Sequence, residues 1–151
     1  GRIVMERIIQ GNPLVAGCVE GEALVSDEPL SFWGGYDQRT GEIIDRRHPL
    51  SGQIAAARVL ALPASRGSST TTAVLLESVR LGKAPAAIVT SVVDCFFALA
   101  SIVADEMYGK PIPVVALAPE DFATLQNGQW IRVCQDGMLI VRTNREAENK
   151  G

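Results

Sequence analysis

The first fifty residues carry short apolar runs separated by glycine and polar residues. These runs occupy residues 7–9, 14–16 and 23–25. Their length, with turn residues between them, predicts short strands. Beyond Leu50, short and largely apolar runs alternate with longer segments of helical spacing, which predicts a β-α-β-α-β order. The runs of this second part occupy residues 58–62, 87–89 and 113–117.

Two segments have the periodicity of amphipathic helices. The first covers residues 70–81 and ends at Gly82, and the second begins after Asp94 as N-cap and ends at Gly109. Apolar residues at positions i, i+3, i+4, i+7 and i+11 predict the buried face of the second helix. They are Phe96, Leu99, Ala100, Val103 and Met107.

The C-terminal part predicts one short helix and one hairpin. Pro119 stands at the first turn of the short helix, where proline is tolerated. Asp136-Gly137 separates two apolar runs and is typical of a tight β-hairpin. Strands first, alternating elements next and a hairpin last predict an α/β fold, with a mixed sheet and flanking helices.

Length and charge narrow the class of protein. We interpret residues 1–144 as a single domain and residues 145–151 as a polar C-terminal tail, since 151 residues suit one unit. The 14 basic and 17 acidic residues give a net charge of -3, so no nucleic-acid partner is expected. The most apolar stretch, residues 95–104, is about half of the roughly 20 residues that span a membrane, so no membrane association is expected.

The three cysteines stand far apart in the sequence. Cys18, Cys95 and Cys134 form no spacing typical of a zinc or iron-sulfur site, so no metal ligands are assigned to this chain. We expect all three to be buried. Sparse cysteines, and charges within the first ten residues where a secretory leader would be apolar, favour a cytoplasmic location.

A hydroxyl-rich segment, residues 64–72, lies between a predicted strand and a predicted helix; we call it the Gly67 turn. Gly67 permits close approach of a ligand, and Ser68 and Ser69 follow it at the positive end of the helix dipole. Such a turn favours binding of a carboxylate or phosphate. The alternative is that these hydroxyls only cap the helix. A Walker loop and a Gly-x-Ser-x-Gly elbow are both absent.

A second polar stretch, the 31–50 segment, is too long for a plain hairpin turn. Long loops in compact domains are often functional, so it is a possible active-site loop. The alternative is a solvated surface loop with anchoring aromatic residues. The candidate residues are Trp33, Gly34, Gly35, Asp37, Arg47 and His48.

An ordered set of motifs resembles the swivel domain, or small subunit, of the aconitase X family of iron-dependent hydro-lyases. The motifs occupy residues 20–25, 30–35, 40–43, 48–52, 66–69 and 84–88. The resemblance implies a swivelling β/β/α fold. It also implies a large partner that carries an iron-sulfur cluster or iron acting as a Lewis acid, with none bound by this chain alone.

The resemblance also assigns roles within the Gly67 turn. Gly67-Ser68-Ser69 is similar to the Gly-Ser-Ser-Arg turn on which the swivel domain of aconitase carries its serine base. Ser68 is then the catalytic base, and Ser69 a substrate hydrogen-bonding residue. Thr70 stands where aconitase has arginine, and Arg66 lies on the other side of the glycine, so a carboxylate clamp by Arg66 is left open.

The resemblance implies a small hydroxy-acid substrate. Bacterial members dehydrate cis-3-hydroxy-L-proline to 1-pyrroline-2-carboxylate, and archaeal members dehydrate mevalonate 5-phosphate. Residues 32–35 and 46–50 are more similar to the bacterial kind. Two non-catalytic alternatives are a phosphohistidine-type swivel module using His48, whose Gly-Gly-x-x-Ser-His motif is absent, and a structural binding subunit.

Overall fold

The computed structural model describes residues 2–67 and 69–146, and every structural statement below refers to them. The strands are β1 (Arg2–Gln10), β2 (Asn12–Val15), β3 (Val19–Val25), β4 (Leu30–Ser31), β5 (Val59–Ala61), β6 (Ser65–Arg66), β7 (Ala87–Thr90), β8 (Val114–Ala116), β9 (Trp130–Val133) and β10 (Met138–Glu146). The helices are α1 (Ser69–Arg80), α2 (Cys95–Tyr108) and α3 (Pro119–Phe122).

Eight of the described strands form one curled mixed sheet in the order β1-β10-β9-β3-β5-β7-β8-β2. The strands β3, β5, β7 and β8 are parallel to one another, and the outer strands join them antiparallel. The sheet folds over itself, so that β1, β10 and β9 form one layer, the parallel strands a second, and α1 with α2 a third. The predicted α/β class with a mixed sheet is confirmed.

Two hydrophobic cores hold the three layers together. One lies between the helices and the parallel strands and contains Leu60, Ile88 and Phe97. The other lies between the two strand layers and contains Val59, Val89 and Ile131. Adjacent residues of one parallel strand thus face opposite cores, which explains why these strands read as unbroken apolar runs rather than alternating ones.

Gly11 lets the chain pass from one edge of the sheet to the other. It separates β1 from β2, and its N–H donates to the carbonyl of Gly137 at 3.1 Å. A Cβ at Gly11 would collide with the side chain of Val115, so only glycine fits. Because Gly11 has no side chain, the chain can pass closely here, and the sheet can curl into two layers.

The predicted elements agree with the observed ones to within a few residues, but the buried face of α2 was predicted wrongly. Phe96, Leu99 and Met107 are 38%, 50% and 59% exposed. The buried face is formed by Phe97, Ala100, Ser101 and Ala104. Ala100 alone belongs to both sets.

The rotation of α2 about its axis is fixed by polar contacts. The Ser101 hydroxyl donates to the carbonyl of Ile112 at 2.5 Å and accepts its N–H at 2.7 Å. A helix that is apolar on most of its surface has two possible buried stripes, and periodicity alone does not choose between them. The hydrogen bonds of this buried serine hold the face of Phe97, Ala100 and Ala104 inward, and Leu99, Ile102 and Met107 remain exposed.

Three further differences concern the C-terminus, the cysteines and a small sheet. The strand β10 continues through Glu146, two residues into the segment assigned to the tail, and residues 147–151 lie outside the described part. Cys18 and Cys95 are exposed, so the expectation that all cysteines are buried is wrong. The pair β4-β6 was not predicted, because each strand has only two residues.

No helix among the described residues is long and apolar enough to span a bilayer.

Candidate active site

The Gly67 turn connects β6 to α1. The strand β6 pairs in parallel with β4, with Leu30 opposite Ser65 and Ser31 opposite Arg66. Gly67 has a φ of +110°, in the region that favours glycine, whereas a Cβ there would meet only ordinary contacts. The conformation, not the available space, therefore requires glycine.

The residues proposed for chemistry lie at the beginning of α1. Ser68 lies outside the described residues, and Ser69 is the first residue of the helix. Arg66 and Thr70 are exposed, and the guanidinium of Arg66 forms no hydrogen bond or ion pair with another described residue. The first turn of α1 holds no acidic side chain, so the positive end of its dipole is not neutralised from within the helix.

Two threonines of this first turn carry hydroxyls without partners. Thr71 is fully buried, and neither its Oγ1 nor that of Thr72 has a hydrogen-bond partner among the described residues. A buried hydroxyl without a partner costs about 1–3 kcal/mol. Sequence reasoning saw Thr71 and Thr72 only as part of a hydroxyl-rich stretch and did not single them out.

Asp94 connects the turn to the second helix. Its Oδ1 accepts the N–H groups of Phe96 and Phe97, both at 3.0 Å, as expected for an N-cap. Its Oδ2 accepts the N–H of Ser65 at 2.7 Å and the hydroxyl of Ser65 at 2.8 Å. The sequence predicted the cap but not the bond to Ser65.

A cleft of about 400 Å³ opens near the carboxyl ends of the parallel strands. Its lining includes Ser26 after β3, Pro63 after β5 and Ser91 after β7. Carboxyl ends of parallel strands are where open α/β sheets bind ligands. The residues that line this cleft do not include the Gly67 turn, although Pro63 directly precedes it.

The 31–50 segment divides into an exposed tip and an internally bonded remainder. Trp33 is 70% exposed and is followed by Gly34 with a φ of +78°. Gly35 is buried against the carbonyl of Ser31, where a Cβ would collide. Because Ser31 is paired with Arg66, the Trp33 tip and the Gly67 turn lie at the same end of the β4-β6 pair.

The remaining candidates of this segment have structural contacts. The Asp37 carboxylate accepts the N–H of Arg39 at 2.9 Å, within the turn that closes the loop. His48 is buried; its Nδ1 accepts the N–H of Leu50 at 3.1 Å, so its Nε2 is the nitrogen that donates to the carbonyl of Glu28 at 3.2 Å. Among the described residues, neither side chain forms a hydrogen bond with the Gly67 turn. Arg47 is exposed, and its guanidinium forms no hydrogen bond or ion pair with a described residue.

Tyr36 anchors the same segment. Its ring stacks on Phe32 at 5.1 Å between centroids, and its hydroxyl donates to the carbonyl of Lys83 at 2.6 Å. Burial raises the pKa of the Tyr36 phenol well above its ordinary value. The neutral phenol is thus a structural hydrogen-bond donor rather than a proton acceptor.

The potential metal ligands among the described residues are dispersed. Within residues 2–67 and 69–146, no three His, Cys, Asp or Glu side chains group closely enough to hold an ion. The three thiols are free: Cys95 is the first residue of α2, Cys18 directly precedes β3, and Cys134 directly follows β9. The described residues therefore do not fit an iron-sulfur cluster.

Two strand layers, one helix layer and an exposed hydroxyl-bearing turn are the architecture of a swivel domain. The chain belongs to the aconitase X swivel domain family, whose family model matches residues 8–141. The family resemblance drawn from the sequence motifs is thereby confirmed.

Individual relatives fall into two groups. The chain is 46% identical over 132 residues to cis-3-hydroxy-L-proline dehydratase of Pseudomonas aeruginosa, covering 87% of this chain and 22% of that protein. It is 36% identical over 132 residues to the phosphomevalonate dehydratase small subunit of Thermococcus onnurineus, covering 87% and 95%. The chain thus spans about a fifth of the hydroxyproline dehydratase and nearly all of the small subunit.

A solved structure has the same fold. The crystal structure of Thermococcus kodakaraensis aconitase X in its holo form matches with a TM-score of 0.80 and 32% identity. The match covers 89% of this chain and 98% of that one. The β/β/α swivel architecture expected from the resemblance is confirmed.

Proposed function

We propose that this chain is the swivel part of a two-part hydro-lyase that dehydrates cis-3-hydroxy-L-proline to 1-pyrroline-2-carboxylate. The observation that carries the proposal is the first turn of α1, where a glycine with positive φ, an uncompensated helix dipole and an unpartnered buried hydroxyl at Thr71 coincide. This combination suits a substrate carboxylate. The 46% identity to a hydroxyproline dehydratase supports the choice of substrate.

In the proposed reaction, the Ser68 oxygen accepts the proton of the carbon that bears the carboxylate. The hydroxyl leaves the neighbouring carbon, the carbon–carbon double bond forms, and the resulting enamine tautomerises to the cyclic imine. A serine hydroxyl is a weak base at neutral pH, so its anion needs the field of the helix N-terminus. Ser69 and the exposed Arg66 and Thr70 are proposed to contact the substrate.

The iron or iron-sulfur cluster of the aconitase X type is proposed to belong to the large partner. The described residues of this chain offer no ligand set for it. We assign to this chain only the removal of the proton and the binding of the substrate. Three free thiols support a reducing, cytoplasmic location.

The experiment that tests the proposal uses the chain assembled with its large partner and cis-3-hydroxy-L-proline. Ser68→Ala is expected to lower kcat by about 10² to 10⁴, since that is the usual loss when a positioned general base is removed. Circular dichroism and iron content should match the unaltered complex. A variant that loses thermal stability but keeps its turnover would show that Ser68 is only a helix cap.

The second candidate substrate is mevalonate 5-phosphate. It is favoured by the relatives that the chain covers almost completely, such as the phosphomevalonate dehydratase small subunit of Methanopyrus kandleri at 42% identity. Both substrates present an anion to the turn, so the kcat/KM ratio of one complex for the two compounds decides between them. A higher kcat/KM for mevalonate 5-phosphate would replace the first substrate and keep the role of Ser68.

The outward face of α2 supports a large partner. Leu99, Ile102 and Met107 are 50%, 51% and 59% exposed, a row of large apolar side chains on one helix. The helix is capped by Asp94, which bonds to Ser65 of the Gly67 turn, so the beginning of α2 lies beside the turn. Relatives named small subunits imply such a partner.

A charge on this face should weaken the complex. Ile102→Glu is expected to weaken association with the large partner by about 10-fold or more, since burying an unpaired charge costs several kcal/mol. The matched control is Ile8→Glu, because Ile8 is 64% exposed on β1, in the layer opposite the helices. Equal binding of both variants would exclude the α2 face as the partner surface.

A further inference from the structure

We infer that Asp94 is a positioning residue for catalysis, which fixes the Gly67 turn relative to α2. The inference rests on the proposed function of Ser68. A helix N-cap needs only one carboxylate oxygen, here Oδ1 of Asp94. The other oxygen, Oδ2, accepts two hydrogen bonds from Ser65. Ser65 lies 29 positions before Asp94 in the chain.

The two carboxylate oxygens have separate partners. Oδ1 accepts two N–H groups of α2, and Oδ2 accepts the N–H and the hydroxyl of Ser65. Asp94 is only 6% exposed and forms no ion pair with a described residue. The carboxylate therefore accepts four hydrogen bonds, two from α2 and two from Ser65.

The turn has few other anchors. The strand β6 is two residues long and pairs only with β4, which also has two residues. Three residues separate Ser65 from the start of α1, so the bonds of Oδ2 anchor the turn close to the residue from which the helix begins. Displacing a reacting group by about 1 Å costs on the order of 10²-fold in rate. Loosening this anchor is therefore expected to lower the rate of the proposed reaction.

Asp94→Asn separates the two roles of the residue. Asparagine caps a helix as well as aspartate does, so its amide oxygen can retain the bonds to Phe96 and Phe97. Its NH₂ group then faces the N–H of Ser65, and two donors cannot bond to each other. The variant therefore preserves the cap and removes the backbone link to the turn.

The expected result in the assembled enzyme is a fall in kcat of about 10- to 100-fold for cis-3-hydroxy-L-proline. In the same variant, amide hydrogen exchange at Ser65 should accelerate while that at Phe97 stays unchanged. Asp136→Asn is the matched control, because the Asp136 carboxylate accepts the N–H of Met138 at 3.0 Å in the distant hairpin turn. The control should keep its kcat.

Two outcomes overturn the inference. One is an unchanged kcat with faster exchange at Ser65. The other is faster exchange at Phe97 together with a loss of activity that only follows the unfolded fraction. Ser68→Ala, measured in parallel, distinguishes these failures from a failure of the proposed function: a variant that retains turnover rejects Ser68, whereas an inactive Ser68→Ala beside a fully active Asp94→Asn rejects only the role of Asp94.

Discussion

The Gly67 turn and the 31–50 segment are both rich in polar residues, but the two differ in whether their buried polar groups have hydrogen-bond partners. In the 31–50 segment, both ring nitrogens of His48 and the Tyr36 hydroxyl have backbone partners. In the Gly67 turn, the buried hydroxyls of Thr71 and Thr72 have none among the described residues. Groups that stabilise a fold are satisfied within it, whereas groups reserved for a ligand are left free at a cost in stability.

The largest expected effect comes from His48, which should matter for stability and not for catalysis. His48→Ala leaves the N–H of Leu50 without a partner, removes one of the two hydrogen bonds to the carbonyl of Glu28, and opens a cavity. We expect the free energy of unfolding to fall by about 2–4 kcal/mol. Urea denaturation of the isolated chain measures it.

The exposed neighbour Arg47 provides the control for His48. Arg47→Ala should change the free energy of unfolding by less than about 0.5 kcal/mol. Turnover per folded complex should stay the same in both variants. A large fall in kcat with His48→Ala at unchanged stability would contradict the structural role of His48. It would indicate that the 31–50 segment belongs to the active site.

Tyr36→Phe should have a smaller effect that depends on pH. At neutral pH the variant loses one hydrogen bond to the carbonyl of Lys83, worth about 1 kcal/mol. Because burial raises the pKa of Tyr36, its contribution is fully present below the pKa of the unfolded chain and is lost as pH rises toward the folded value. Stability of the unaltered chain should therefore decline above about pH 10, the ordinary phenol pKa.

Tyr36→Phe should remove most of the alkaline decline that the Tyr36 phenol causes. Thermal unfolding of the unaltered chain and of the variant between about pH 8 and 11, spanning the ordinary phenol pKa, measures this. An equal decline in both proteins would show that the Tyr36 phenol is not the group that titrates.

The smallest effect on stability is expected at Thr71. Thr71→Val removes a buried hydroxyl that has no described partner, so stability should stay the same or rise by less than about 1 kcal/mol. If the hydroxyl binds substrate, KM should rise about 2- to 10-fold. The control is Thr90→Val, because the Thr90 hydroxyl donates to the carbonyl of Val92 at 2.6 Å and its loss should destabilise the fold. A destabilised Thr71→Val with unchanged KM would contradict this assignment.

Local patterns predicted much of this structure, and non-local contacts account for the rest. The Asp94 cap, the Gly109 helix end and the Asp136-Gly137 hairpin each depend on a few neighbouring residues, and each was predicted. The hydrogen bond from Ser65 to Asp94 joins distant parts of the chain, so no local sequence pattern predicts it. The inward rotation of α2 is likewise set by Ile112, outside the helix.

The candidate site was predicted in the same uneven way. Gly67 was singled out for its permissive backbone, and it has a positive φ. His48 and Asp37 looked equally promising because histidine and aspartate carry chemistry in many sites. Their hydrogen bonds, formed with the backbone of their own loop and of Glu28, favour a structural role, which the His48→Ala variant tests.

The pairing of β1 with β10 bears on how this domain can be joined to a longer polypeptide chain. Arg2 lies opposite Glu146, so the first and last described strands begin and end side by side. A peptide linker attached at either end leaves the domain from the same place, and neither attachment disturbs the sheet order. The domain can therefore be joined to a larger chain or encoded alone without changing its topology, which matches relatives of which it spans 22% in one case and 95% in another.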